Sequence, residues 1–489
     1  MSAHQNNPFA TPGSVSSHAG RPGSSSSTPW QGRSPRHSAD GGRPGTYTPY
    51  TYRSVGPPSG AATPVQAAAA VAPKRRFRSY RLRGEYEKPW LGDKDMKKTR
   101  WNNVIVGTLA LVGIAAAGVV IYFMSRPFVQ KDYCLVYEDD FRTLDTSVWT
   151  HEVQLDGFGN HAFDWTTTDE RNAYVDGDGL HIVPTLTTET TGLTADDLYA
   201  NHTLSLDEDK SCTGAFNTSA CVMRSDPEKG VFLPPVRSAR LTTKGARSIR
   251  YGMVEVVARL PRGDWLWPAI WMMPERDAYG AWPRSGEMDI MEARGNDAAY
   301  KGGNGARGRD WYSSALHWGP TPRTDAYWRT TQGKKIRRGA YSDGLHTFGI
   351  QWTPSYVYFY IDSRIHQILF VGFHPNKPLY GLGGFARQTS ENGTLLDDPW
   401  TGSNSTTGNA PFDQAFYLIL NVAVGGTNGF FPDGVGAKPW VDGAPNARWS
   451  FWDARDQWLP TWGDGDRRGM TVRSVKMWQL GKCGEKQEL

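Results

Sequence analysis

The sequence predicts an all-β sandwich that follows one membrane-spanning helix and a disordered, basic N-terminal arm. Three observations carry this reading. Residues 1–100 are dominated by Ser, Pro, Gly and basic side chains. An uncharged apolar run of helix length follows at residues 104–124. From about residue 133, short β-branched and aromatic runs alternate with Gly, Pro, Asn and Asp, with no alternating helical pattern.

Stretches of the arm such as SSHAGRPGSSSSTPW cannot bury enough apolar surface to offset their conformational entropy, so the arm is expected to be disordered. It holds 16 Lys/Arg against 5 Asp/Glu, about +11, while the whole chain is +5. Residues 101–489 therefore carry about −6. A mildly acidic domain offers no electrostatic case for nucleic acid as a partner. The basic runs KRRFRSYRLR (74–83) and KDMKKTR (94–100) would instead attract anionic headgroups, at about 1 kcal/mol per Lys or Arg near a membrane surface.

Residues 104–124, VIVGTLALVGIAAAGVVIYFM, would span roughly 31 Å as a helix, matching a bilayer core. The segment starts too late and is too long for a cleaved signal peptide. Lys94, Lys97, Lys98 and Arg100 precede it, against Arg126 and Lys131 after it, which puts the N-terminus in the cytoplasm. The expected topology is thus single-pass type II, with the large domain, 133–483, luminal or extracellular and the lipid bilayer as a partner. Two features agree: all four cysteines and all four glycosylation sequons, at Asn201, Asn217, Asn392 and Asn404, follow the segment. Of the three possible disulfide pairings, Cys134–Cys483 and Cys212–Cys221 are favoured, since the first pair brackets the domain and the second lies nine apart. Gly113 and Ala117 form a small-xxx-small pair in the apolar segment, and the oligomeric state stays open.

Within the domain, YVYFYID reads as a strand covered on both faces. Residues 185–235 and 385–412 carry the sequons and the Cys212–Cys221 pair and read as surface loops. The informative stretch is SGEMDIMEARGN, 285–296. In a strand, Glu287 and Asp289 share one face while Met288 and Ile290 face the core. Regular alternation would send Glu292 into the core too, where an ionised carboxylate is very costly. A one-residue bulge at Ile290–Met291 returns it to the face of Glu287. The two glutamate Cα atoms would then be roughly 13 Å apart, and inward-leaning side chains would bring the carboxyls to about 5 Å. Retaining glycosidases need about 5–5.5 Å and inverting ones about 6.5–9.5 Å, so the spacing favours retention. Three crowded acids also raise at least one pKa, as a general acid requires.

With its neighbours, this stretch resembles glycoside hydrolase family 16, closest to the laminarinase-like branch and its glucan-recognition relatives. The motifs are GDWLWPAIWMMPERDAYGAWPRSGEMDIMEARGN (263–296), SSALHWGP (313–320), HTFGIQWTPSYVYFYID (346–362) and FYLILNVAVGG (416–426), in the family's order over roughly 135–482. The resemblance implies a concanavalin A-like jelly roll with a cleft across its concave sheet. It implies Glu287 as nucleophile, Glu292 as acid/base and Asp289 hydrogen-bonded beside them. The extra residue of ExDxxE points, by branch, to β-1,3-linked glucan. Trp271 and Trp282 are candidates to stack on sugar rings, Arg284 to bond glucan or neutralise the acids, and His317 and Asn421 to face the cleft.

The expected activity is membrane-anchored, retaining hydrolysis of β-glucan in a protein of fungal type. The alternatives are a cell-wall transglycosylase on the same residues and a non-catalytic glucan-binding protein. No cofactor or metal is required; a structural calcium ion occurs in the family, but no acidic loop shows its ligand spacing.

Overall fold

The computed structural model of the chain describes residues 84, 85, 87–129, 132–302, 307–390, 392–403 and 405–484. Most of the arm lies outside the described residues, as does the sequon at Asn404.

The apolar segment is part of a helix, Lys94–Val129, with Asp95 in its first turn, where a carboxylate complements the helix dipole. The stretch Lys94–Met124 is long and apolar enough to cross a membrane. The helix starts ten residues before the apolar run because Lys94, Met96, Lys97 and Lys98 are good helix formers and nothing there breaks it.

The domain from residue 133 is a jelly-roll sandwich of two eight-stranded antiparallel sheets. The cleft-bearing sheet contains β1 (Arg240–Thr242), β2 (Leu266–Pro274), β3 (Glu287–Ala293), β4 (Trp311–His317) and β5 (Phe416–Val424). Its order is Thr331–Lys335, β4, β3, β2, β5, β1, Thr150–His151, with Ser248–Ile249 also on β5. In the opposing sheet, Met470–Leu480 pairs with Gly252–Arg259, Gly179–Ile182 and Tyr133–Asp139. Period-2 alternation explains the packing: Ile270, Met272, Met288, Leu418 and Leu420 point inward to meet Val254, Val256, Phe348 and Ile350, all at most 1% exposed. In Tyr356–Ile361 only Tyr358 is not buried, as the unbroken aromatic run requires.

A disulfide joins Cys134 to Cys483, tying the first strand to the end of the last. A second joins Cys212 to Cys221. Asn201, Asn217 and Asn392 are exposed.

Two expectations are corrected. Residues 185–235 are not simply a surface loop: they contribute strands at Thr185–Leu186, Val222–Arg224 and Thr203–Ser205, and bury Leu198 and Leu233 at 1% exposure. Residues 385–412 likewise bury Phe385, Trp400 and Phe412, and the Trp400 indole donates to the Arg284 carbonyl at 2.7 Å. Large apolar side chains hold both segments down despite their polar, Gly-rich composition.

Candidate active site

The register of β3 shows how three acids reach one face. Glu287 stands opposite His317 and Asp289 opposite Ala315, but Glu292 stands opposite Ser313, so one residue is bulged out between them. On the other side, Trp271 opposes Asp289 and Ala269 opposes Glu292, with the same shift. The bulge keeps Ile290 and Met291 in the core, at 1% and 0% exposure. The Ser314 hydroxyl donates to the Ile290 carbonyl at 2.7 Å, so the ladder interruption leaves that group paired.

Each carboxylate has a dedicated indole or imidazole. Trp282 Nε1 donates to Glu287 Oε2 at 2.5 Å, and Trp267 Nε1 donates to Glu292 Oε1 at 3.0 Å. His317 Nε2 lies 3.2 Å from Asp289 Oδ2, while its Nδ1 lies 2.6 Å from Asp325 Oδ2. The His317 ring is stacked on Tyr327 at 5.0 Å between centroids. His317 is thus clamped between two buried carboxylates.

Burial raises the pKa of all three acids, and their mutual repulsion adds to it: Asp289 acts on Glu287, Glu292 on Asp289, and Glu287 on Glu292. Burial alone would lower the His317 pKa, but the carboxylates of Asp325, Glu287 and Asp289 outweigh it and hold the ring protonated well above its ordinary range. The site is therefore a buried cluster of acids around one imidazolium beside the cleft.

The other expected residues fall as follows. Asn421 and Trp271 line the cleft, and Trp271 Nε1 donates to Asn421 Oδ1 at 2.8 Å. One face of Trp271 packs on the Arg240 guanidinium at 4.8 Å, so Trp271 is partly occupied as a stacking surface. Trp282, half-buried, is a donor to Glu287. Arg284 is exposed and donates to the Pro320 carbonyl at 2.7 Å. The cations that act on the acids are His317, on all three, and the buried Arg294, on Glu292; the Arg284 side chain instead points to the 318–326 turn.

Sequence reasoning missed Trp267, Asp325 and the loop that supplies Phe158 and Asn160 to the cleft. Trp267 was legible: it shares strand parity with Ala269 and Trp271. Asp325 carried no signal, since it reaches His317 from a turn eight residues on.

Comparison with known proteins follows the same outline. Residues 186–369 match the model of glycosyl hydrolases family 16. A β-1,3-glucan-binding protein of Penaeus monodon is 37% identical over 384 residues, covering 76% of this chain and 98% of that protein. Gram-negative bacteria-binding protein 1 of Drosophila melanogaster is 30% identical over 67% of this chain, and β-1,3-glucan-binding protein 1 of Manduca sexta 28% over 71%. The chain spans 61% and 65% of the length of these two insect proteins. Among solved structures, a laminarinase from Rhodothermus marinus is 23% identical over 72% of this chain and all of that one, with a TM-score of 0.42. The named relatives are invertebrate proteins and do not support the expected fungal affiliation. With the matched model and the Penaeus monodon relative together, the chain belongs to glycosyl hydrolases family 16.

Proposed function

We propose that the cleft binds β-glucan, β-1,3-linked by the relatives' names, and cleaves it with retention of configuration. The names of the relatives support the first half. The second half rests on one observation: the bulge in β3 brings Glu287, Asp289 and Glu292 to a single cleft wall, each with its own hydrogen-bonding or ion-pair partner.

The chemistry follows from these positions. Glu292 gives its proton to the leaving glycosidic oxygen while Glu287 attacks the anomeric carbon. Water, deprotonated by Glu292, then releases the glycosyl-enzyme. Glu287 must be ionised to attack, and Asp289, held against the His317 imidazolium, is placed to take up its proton. A sugar hydroxyl in place of water would make the same site a transglycosylase. No cofactor enters the scheme. The Lys94–Met124 helix is proposed to anchor the chain as a type II membrane protein, supported by its length and its flanking lysines.

A second reading, recognition without turnover, is favoured by the relatives being named as binding proteins. Full-length protein and its Glu287→Gln variant, given a β-1,3-glucan oligosaccharide, separate the two. Turnover in the wild type alone, with comparable oligosaccharide affinity in both, supports the enzyme. Tight binding with no product from either leaves the recognition reading.

A further inference from the structure

Behind Glu292 lies a second layer of contacts that the scheme above does not use. The Trp267 ring, whose N–H meets Glu292, is stacked on Phe430 at 3.9 Å between centroids and 7° between planes. The Arg294 guanidinium lies 4.0 Å over the same Phe430 ring, which leaves it only the face that Trp267 does not cover. Arg294 also donates from Nε to the Phe430 carbonyl at 2.9 Å, with a further bond from Nη2. The next residue is fixed as well. The fully buried Lys438 ammonium donates to the Phe431 carbonyl at 2.8 Å and pairs with Asp433 and Asp442 at 2.6 Å each. A loop more than a hundred residues from β3 is thus pinned at two successive carbonyls, and its Phe430 ring is stacked face to face against the indole that touches Glu292.

We propose that Phe430, clamped by Arg294, is a positioning residue for Glu292: it fixes the plane of Trp267 so that the indole N–H stays aimed at the carboxyl. An aromatic stack fixes ring orientation, and the N–H bond stabilises the ionised carboxylate over the acid. The loop thereby bears on where Glu292 points and how readily it gives up its proton, beside the charges that also face it: His317 and Arg294, which favour the carboxylate, and Glu287, which disfavours it. The inference rests on Glu292 being the acid/base of the proposed reaction.

The test uses full-length protein and three variants. Phe430→Ala removes the clamp, Trp267→Phe keeps the stack but deletes the N–H, and Phe430→Tyr keeps the clamp. In the pH profile of kcat/KM, the basic limb reports the acid that must be protonated. Losing the N–H bond raises that limb by about one pH unit, with about a tenfold fall in kcat. Phe430→Ala and Trp267→Phe are expected to shift the limb alike, and Phe430→Tyr to leave it in place. A limb unmoved in Phe430→Ala but moved in Trp267→Phe overturns the proposal, because a purely structural defect would lower kcat without shifting the limb. Absence of turnover in the wild type is a failure of the proposed activity, and the positioning is then read from oligosaccharide Kd across pH. An upward shift of the inflection in Phe430→Ala supports it, and superimposable profiles overturn it.

Discussion

Glu287→Gln is expected to stabilise the domain, by an amount that grows with pH. Glu287 is only 6% exposed and sits beside Asp289. Burial first, and then the Asp289 charge, raise its pKa from 4.5 to about 8. A carboxyl whose folded pKa lies above its unfolded one binds more protons folded than unfolded between those values. Wild-type stability therefore falls as pH rises from about 4.5 to about 8, at up to about 1.4 kcal/mol per pH unit. Glutamine keeps the size and hydrogen-bonding capacity and never ionises. The gap between variant and wild type should thus be near zero at pH 4 and reach about 2–5 kcal/mol at pH 8, the upper figure ignoring relaxation of Asp289 and His317. Denaturant unfolding of the domain in the full-length protein at pH 4, 6 and 8 measures it. A variant no more stable than wild type at pH 8, or a gap that does not widen with pH, would refute the burial argument.

Three further outcomes follow from the same contacts. Met288→Ala, at 0% exposure on the core side of β3, should cost about 2–5 kcal/mol in denaturant unfolding, since the two sheets cannot collapse into the void. Asp325→Asn removes the largest of the opposing charges on His317, so the imidazolium pKa should fall, visible by NMR titration of its ring protons, with at least a tenfold loss in kcat/KM. Cys134→Ser with Cys483→Ser opens a link across 349 residues, and the domain should lose about 2–5 kcal/mol, read as a lower denaturant midpoint than wild type.

What the sequence reveals here, and what it hides, follows from the range of each interaction. The bulge in β3 was legible because strand parity is local and an ionised Glu292 in the core is too costly to tolerate. Trp267 could have been read by the same parity argument. The partner of His317 could not, because nothing in the composition of the 318–326 turn says that Asp325 folds back to Nδ1. Of the two roles expected for Arg284, neutralising the acids fails for a related reason: adjacency in sequence says little about direction when a turn intervenes. The clamp on Phe430 is farther still, since Arg294 meets it across 136 residues. The segments 185–235 and 385–412 misled because a few buried residues, Leu198, Trp400 and Phe412 among them, outweigh a polar majority.

The most direct test of the central claim is to trap the covalent intermediate. Full-length protein would be incubated with an activated 2-deoxy-2-fluoro β-1,3-glucosyl donor and its peptides weighed by mass spectrometry. Retaining catalysis by Glu287 requires one added glycosyl mass on the peptide bearing Glu287, and none in Glu287→Gln. An unlabelled protein that still binds β-1,3-glucan, or a label on any other residue, would contradict it.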